Sequence, residues 1–201
     1  HRVKHYDSSH AHIAACVEQS LTDLHTDYLD VLLIHRPDPL MDHHQTGAIL
    51  DQLIDEGKIK SAGVSNFRPW DIELLQSAMK HPLVTNQIEL SLQHHQPLVD
   101  GDVAFLQRRG LPIMAWSPLA GGELFNHSEI RKVLERVAHS YDTEPDAIAV
   151  AWLMVHPATI IPVLGTNNIE RIKNIHRAAD IQLDRETWFE LYTASLGREV
   201  A

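Results

Sequence analysis

Short apolar runs alternate along the chain with longer segments in which apolar residues recur every three or four positions. The short runs are nearly continuous, as in strands that are buried on both faces of a parallel sheet. The longer segments have the period of amphipathic helices. The short runs predict five β-strands, at residues 29–35, 60–64, 83–90, 111–116 and 159–164.

Turn and capping residues mark the ends of the predicted helices. Gly57 stops the second helix, Pro69 takes the first position of the third, and Thr143 is the predicted N-cap after a break at residues 142–145. The segments between strands are long enough for the crossover helix that parallel strands require. The predicted helices are residues 9 or 10–23, 46–56, 69–79, 102–109, 128–155 with the break, 168–178 and 185–195. The chain is therefore predicted to be a βα repeat of five units.

Five βα units in series fit either a doubly wound open sheet or part of an eight-stranded barrel. A Gly-x-Gly-x-x-Gly turn after the first strand would favour the open sheet, but that strand ends in His35-Arg36-Pro37-Asp38. We therefore predict the α/β class and a (β/α)8 TIM barrel. Such a barrel usually takes ~250 residues, so about three strands are unaccounted for. No linker interrupts the pattern, and residues 1–201 are predicted to form a single domain.

Charge and composition exclude several classes of protein. The chain has 17 Lys and Arg against 27 Asp and Glu, a net charge of −10, which disfavours nucleic acid and anionic membranes as partners. No apolar stretch approaches the ~20 residues of a membrane-spanning helix. The single cysteine, Cys16, allows no internal disulfide, favours a reducing, cytoplasmic location, and is predicted to pack in the core.

Polar residues at the ends of the first three strands are candidates for chemistry, because the carboxyl ends of barrel strands carry the active site. His35 follows the first strand, where its imidazole either donates a hydrogen bond to a substrate carbonyl or caps the turn. Ser65 and Asn66 follow the second strand, as ligands for an amide group or as turn formers. Alternation on the third strand places Asn86 and Ile88 on one face and Gln87 and Glu89 on the other. These polar groups are satisfied by a ligand or by a structural network.

The last two strand ends suggest phosphate binding. Trp116 precedes a small, glycine-bearing loop at residues 117–122, whose backbone N–H groups can approach phosphate oxygens. The fifth strand leads through Gly165 into a predicted helix start with Arg171, and barrels commonly hold phosphate at this last step. A solvated helix start is the alternative.

Fifteen histidines raise the question of a metal site. The adjacent pairs His43-His44 and His94-His95 diverge on a helix or strand, and His1 and His5 lie at the chain terminus. No cysteine or carboxylate joins them at zinc-like spacing. We predict no metal.

The most specific pieces of the five strand-end segments are Tyr28-Leu29-Asp30-Val31-Leu32-Leu33-Ile34-His35-Arg36-Pro37-Asp38, Gly57-Lys58-Ile59-Lys60 leading into Gly63-Val64-Ser65-Asn66-Phe67, Asn86-Gln87-Ile88-Glu89, and Ala115-Trp116-Ser117-Pro118-Leu119. Taken together, the five segments resemble the aldo-keto reductase family, and the similarity runs over essentially the whole chain. The turns at residues 119–122 and 163–166 are most similar to the YdhF-like branch of bacterial oxidoreductases.

The resemblance implies a barrel that binds NADPH and reduces small-molecule aldehydes or ketones by hydride transfer. His35 matches the histidine that orients the carbonyl oxygen, and Trp116 stands where the family places an aromatic residue, usually tyrosine, against the nicotinamide. Three groups of positions match cofactor contacts: Ser65, Asn66 and Gln87 for the carboxamide, Ser117, Leu119 and Gly121 for the pyrophosphate, and Gly165, Thr166, Asn167, Arg171 and Asn174 near the adenosine 2′-phosphate. Val163 and Leu164 replace a lysine and a serine of several branches, so NADH stays an alternative.

The family carries its catalytic tyrosine, aspartate and lysine on its first three βα units, and the resemblance finds none of them here. Tyr6 and Lys4 precede the first helix and match neither position. The chain also opens without methionine, and we expect it to be the C-terminal part of a longer reductase that lacks its first three βα units. A non-catalytic NADP(H)-binding barrel is one alternative, and a barrel enzyme of another class with a phosphorylated substrate is another. The individual substrate and the oligomeric state stay open.

Overall fold

A computed structural model describes residues 2–201 of the chain. Backbone proximity groups them into two compact units, the first running to Gln87 and the second from Ile88 to Ala201. Each unit is described by itself, and the assignment of one domain to residues 1–201 stays a prediction. His1, one of the two terminal histidines considered for a metal, lies outside the described residues.

The first unit alternates helices and strands. Its strands are parallel and follow one another in sequence order, with Val31 opposite Ser61 and Ser65 opposite Gln87. The last two residues of its third strand belong to the second unit. The elements are α1 (His10–Leu24), β1 (Leu29–Ile34), α2 (His43–Asp55), β2 (Ile59–Ser65), α3 (Pro69–Ser77) and β3 (Leu83–Glu89).

The middle strand of this unit is held by close packing at Gly63. A Cβ atom there would lie 2.7 Å from Leu33 Cδ2 and 2.9 Å from the main-chain oxygen of Thr85, closer than real Cβ contacts. Only glycine therefore allows β1 and β3 to approach β2 at this level. Two positions further on, β2 delivers Ser65 to its carboxyl end.

The second unit contains two parallel strands and five α-helices. Ile113 lies opposite Ile160 and Trp116 opposite Val163, so both strands end at the same edge. The elements are α4 (Asp102–Arg109), β4 (Ile113–Trp116), α5 (Ser128–Ser140), α6 (Pro145–Met154), β5 (Ile160–Val163), α7 (Ile169–His176) and α8 (Arg185–Leu196), with short 3₁₀ turns at Gln96–Leu98, Ala120–Asn126 and Arg177–Asp180.

Helix α6 is the core of the second unit, because its residues 147–153 are all buried. Trp152 and Trp188 of α8 stack at 4.8 Å between ring centroids. Each indole N–H donates to the main-chain oxygen of the other residue, at 3.1 and 2.9 Å. This reciprocal pair satisfies both buried donors and fixes α8 against α6.

Most predicted element bounds agree with the structure, and three local predictions are wrong. Helix α2 begins three residues before Thr46, because Asp42 accepts hydrogen bonds from the backbone N–H groups of His44 and Gln45 as its N-cap. Glu144, not Thr143, holds the N-cap position of α6, and the buried Thr143 Oγ1 has no partner within residues 2–201. Cys16 is exposed, because the buried stripe of α1 runs through Ile13 and Val17 beside it.

No helix within residues 2–201 is long and apolar enough to cross a membrane. The same residues contain no group of three or more histidine, cysteine, aspartate or glutamate side chains that could hold a metal ion.

Candidate functional site

His35 directly follows β1 and is exposed. It lines a cavity of about 310 Å³ whose wall also includes Tyr6, His12 and Cys16. No hydrogen bond joins its imidazole to another residue of the described chain, so both ring nitrogens are open to a ligand. The alternative of a capping histidine satisfied by the turn has no hydrogen bond to support it.

The segment that brings Tyr6 to this cavity is anchored at Ser8. The backbone N–H and hydroxyl of Ser8 both donate to the Asp38 carboxylate, at 3.1 and 2.9 Å, and the buried Thr46 hydroxyl donates to the main-chain oxygen of Ser8 at 2.9 Å. These bonds connect the segment before α1 to the turn after β1 and to α2. Of the four tyrosines, Tyr6 is the one that lines the cavity of His35.

Ser65, Asn66 and Gln87 are brought together at the carboxyl ends of β2 and β3. The Ser65 hydroxyl donates to the main-chain oxygen of Gln87 at 3.0 Å, and the Asn66 side-chain amide donates to Ser65 Oγ at 2.8 Å. The backbone N–H of Asn66 donates to the same Gln87 oxygen at 2.8 Å. Asn66 has a φ of 57°, a left-handed conformation that asparagine tolerates and that turns its side chain back toward Ser65.

The alternation predicted for β3 is confirmed, since Asn86 and Ile88 are buried while Gln87 and Glu89 are half-buried. The Asn86 amide donates to the main-chain oxygen of Phe67 at 2.8 Å, which favours the structural network at this position. Its Oδ1 has no hydrogen-bond partner within residues 2–201.

In the second unit a cavity of about 850 Å³ opens at the carboxyl ends of β4 and β5. This volume suits a large ligand such as a nucleotide. Eight of the predicted cofactor residues line it, namely Trp116, Ser117, Leu119, Gly121, Gly165, Thr166, Arg171 and Asn174. Asn167 lies between two lining residues but does not itself line the cavity.

The loop after β4 is built of tight turns that contain left-handed residues. Ser117 and Ala120 both have a φ of 49°, and Gly121 and Gly122 have values of 64° and 96°. Hydrogen bonds of 2.8 Å from Ala120 N to Ser117 O and from Gly122 N to Leu119 O hold the turns. Turns in which right-handed and left-handed residues follow one another can present further N–H groups to an anion.

The N-terminus of α7 also lines this cavity. Asn168 caps the helix by accepting a hydrogen bond from Arg171 N at 3.1 Å, and its own N–H donates to Thr166 Oγ1 at 3.2 Å. The Arg171 guanidinium makes no hydrogen bond or ion pair with any other described residue, whereas Lys173 pairs with Glu170 at 2.8 Å. Arg171 is therefore the cation of this cavity that is available to a phosphate.

Asp146, in the first turn of α6, lines the same cavity and was not predicted from the sequence. Its Oδ1 accepts a hydrogen bond from the N–H of Ala147 at 2.9 Å. Burial raises the pKa of the Asp146 carboxyl above its ordinary value, and the charge of Arg171 acts in the opposite direction. The sequence signal for Asp146 is an acidic residue directly after Pro145. The predicted helix break at residues 142–145 includes Pro145 but not Asp146.

Comparison with known proteins relates this arrangement to a family. The model described as "Aldo/keto reductase family" matches residues 1–194. A 6-dehydroglucose reductase of Agrobacterium fabrum is 54% identical over 202 residues, which cover 100% of this chain and 68% of the relative. Oxidoreductase YdhF of Escherichia coli is 39% identical over 202 residues, covering 98% of this chain and 68% of YdhF.

A solved structure gives the same result at the level of the fold. The aldo/keto reductase of Klebsiella pneumoniae in complex with NADP and acetate has a TM-score of 0.80 and 28% identity, over 92% of this chain and 65% of the Klebsiella chain. This chain thus spans about two thirds of the length of these three proteins. The predicted fold class is confirmed, and with it the resemblance found in the sequence. The chain belongs to the aldo/keto reductase family.

Proposed function

We propose that the protein is an oxidoreductase that reduces aldehyde or ketone groups of small molecules with a nicotinamide cofactor, NADPH. The observation that carries the proposal is the cavity of about 850 Å³ that combines a glycine-bearing loop, a helix N-terminus and the available guanidinium of Arg171. Family membership supports the reaction class, and the Klebsiella relative was solved with NADP. A sugar aldehyde is the first substrate to test, because the relative with 54% identity is named 6-dehydroglucose reductase.

Within the second unit, the residues fit the phosphate-bearing part of the cofactor. We assign the pyrophosphate to Ser117, Leu119 and Gly121 of the loop after β4, and the adenosine 2′-phosphate to Arg171, whose fork of donors suits a phosphate. Gly165 and Thr166 line the wall beside Arg171, and Asn174 follows one turn later on the same helix. A cofactor contact by Asn167 stays a prediction, and we propose that it is made by the backbone of this residue.

The nicotinamide carboxamide is assigned to Ser65, Asn66 and Gln87, and the face of its ring to Trp116. The mutual hydrogen bonds of the first two side chains fix their orientation before the cofactor binds, which lowers the entropy cost of binding. Trp116 lines its cavity through a half-buried indole, a flat surface suited to stacking.

His35 is assigned to the carbonyl oxygen of the substrate, to which its imidazole donates a hydrogen bond. The cofactor supplies the hydride that reduces the carbonyl carbon, and the oxygen then needs a proton. We propose that this proton comes from a tyrosine, assisted by a lysine and an aspartate, in a part of the protein outside these 201 residues. On this proposal the present chain binds the cofactor but turns over slowly, since a missing acid catalyst costs ~10²–10⁴-fold in rate.

Titration of the chain with NADPH, followed by tryptophan emission, tests cofactor binding. We expect saturable quenching, because Trp116 lies at the cavity, and weaker binding by about tenfold or more in Arg171→Gln, since a charge-assisted hydrogen bond contributes ~1.5–3 kcal/mol. Arg198→Gln removes an exposed arginine outside the cavity and is the matched control. A folded sample with no signal at saturating NADPH would exclude the proposed cofactor.

Steady-state oxidation of NADPH tests where the proton donor lies. The chain with a sugar aldehyde should show little turnover, and Tyr6→Phe should leave that residual rate unchanged. A substantial rate that Tyr6→Phe abolishes would instead place the donor in the cavity of His35. If the complete protein binds NADPH but reduces no carbonyl compound, the non-catalytic NADP(H)-binding barrel is the better description.

A further inference from the structure

The charged side chains that line the cavity of the second unit are mainly acidic. They are Glu144, Asp146 and Glu170 against the single cation Arg171. The 2′-phosphate of NADPH carries about −1.5 to −2 charge at neutral pH, whereas the ribose of NADH has a neutral hydroxyl at this position. The carboxylates therefore repel the 2′-phosphate of NADPH, whereas NADH has no charge at this position for them to repel.

The three carboxylates do not act equally. Glu170 is exposed and paired with Lys173 at 2.8 Å, so its charge is largely compensated. Glu144 is exposed to water, which screens it. Asp146 is half-buried and makes no ion pair within the described chain, and its carboxylate accepts a hydrogen bond from the N–H of its neighbour Ala147. A partly desolvated charge acts more strongly than an exposed one.

Asp146 and Arg171 belong to the first turns of α6 and α7, two helices that both reach this cavity. The positive charge of Arg171 lowers the pKa of the Asp146 carboxyl, although the two side chains form no direct ion pair. The Arg171 guanidinium is thus available to bind a phosphate. The Asp146 carboxylate lies in the same cavity, where its negative charge opposes that phosphate. At Val163 and Leu164, which line the cavity too, apolar side chains add no further cation.

We propose that Asp146 is a specificity-determining residue for the cofactor: its carboxylate opposes the 2′-phosphate, so that the cavity accepts an adenosine ribose with a free 2′-hydroxyl nearly as well as a phosphorylated one. This inference rests on the proposed function of the cavity. It assigns to the protein the use of both NADPH and NADH, with Arg171 favouring the first and Asp146 reducing that preference.

Binding of the two adenosine fragments tests the inference without the nicotinamide half. Dissociation constants of 2′,5′-ADP and 5′-AMP are measured calorimetrically for the chain as it stands, for Asp146→Asn and for Glu186→Gln. The asparagine keeps an oxygen to accept from Ala147 N, and Glu186 occupies the matching second helical position of α8 outside the cavity. We expect Asp146→Asn to raise the preference for 2′,5′-ADP over 5′-AMP by about three- to tenfold, from removal of one partly screened charge, and Glu186→Gln to leave it unchanged.

The possible outcomes distinguish the role of Asp146 from the proposed function of the cavity as a nucleotide site. If both fragments bind and the preference is the same in Asp146→Asn, Asp146 does not determine specificity and the inference is wrong while the cavity remains a nucleotide site. If neither fragment binds the folded chain, the proposed function of the cavity fails and the inference falls with it. Asp146→Ser provides a second neutral side chain, so a folding defect of one variant does not decide the matter.

Discussion

The Ser65 hydroxyl donates a hydrogen bond of 3.0 Å to the main-chain oxygen of Gln87, its register partner on the neighbouring strand. The same hydroxyl accepts a bond of 2.8 Å from the Asn66 amide. Two of the three side chains assigned to the carboxamide are thus already hydrogen-bonded to each other. Ser65 is 4% exposed, so its contribution to cofactor binding includes the orientation of Asn66.

Ser65→Ala should lower the free energy of unfolding by about 1 kcal/mol and weaken NADPH binding, because the hydroxyl supports both Gln87 and Asn66. Urea unfolding and fluorescence titration measure the two effects. Ser61→Ala is the matched control: on the same strand, the Ser61 hydroxyl also donates to a main-chain oxygen, that of Asp30, at 2.8 Å. Equal effects of both variants on NADPH binding would argue against a special role of Ser65.

Gly63→Ala should destabilise the first unit by about 1–3 kcal/mol, because the added methyl group meets Leu33 and Thr85 at less than 3.0 Å. The shift of β2 that relieves this contact should also displace Ser65 and reduce cofactor affinity. Gly165→Ala tests the opposite case, since its Cβ meets nothing within 4 Å and its unfolding midpoint should change little. A wild-type unfolding midpoint for Gly63→Ala would show that the strands are less tightly packed than described.

Capping and turn residues in the sequence predicted the ends of helices correctly where a single residue gave a strong signal. Gly110 ends α4 at Arg109 as predicted, and Ser9 caps α1 by accepting a bond from His12 N. They failed where two polar residues compete for one role. Between Thr143 and Glu144, capping preference favours the threonine, yet the helix begins one residue later because Pro145 takes its first position.

The candidate site was predictable where a strand end delivers the residue, as for His35, Ser65 and Trp116. Asp146 was not, because it reaches the cavity from the first turn of a helix that is remote in sequence from Gly165 and Arg171. The pattern of apolar residues along the sequence does not predict that the start of α6 lies at the same cavity as Gly165 and Arg171. That information is tertiary, and only the packing of α6 against α7 and β5 provides it.

The thiol of Cys16 should react with a disulfide reagent in the folded chain, because the residue is exposed. Its Sγ lies 3.5 Å from His12 Nε2. Absorbance after addition of Ellman's reagent, with and without denaturant, measures the reaction. Reaction only in denaturant would restore the core packing that the sequence had suggested.

Lowering the pH should erase the difference between the wild-type chain and Asp146→Asn in their affinity for 2′,5′-ADP. Burial raises the pKa of the Asp146 carboxyl, so it takes up a proton earlier than an ordinary aspartate as the solution is acidified. Arg171, which lowers the pKa of Asp146, and Glu144, which raises it, are the charged groups that act on the Asp146 carboxyl. The 2′-phosphate takes up a proton at about pH 6 and is then opposed less by the carboxylate, so its own titration is measured separately and allowed for in the ratio of the two dissociation constants.

This ratio should be largest at neutral pH and above, and should fall toward one as the solution is acidified and the wild-type carboxyl becomes neutral, at a higher pH than for an ordinary aspartate. Calorimetric titrations at intervals across this range give the profile, and Glu186→Gln should follow the wild type at every pH. A ratio that stays constant while both proteins remain folded would mean that the shape of the side chain, and not its charge, affects the phosphate. Direct hydrogen bonding of the ribose by residue 146 would then be the better explanation.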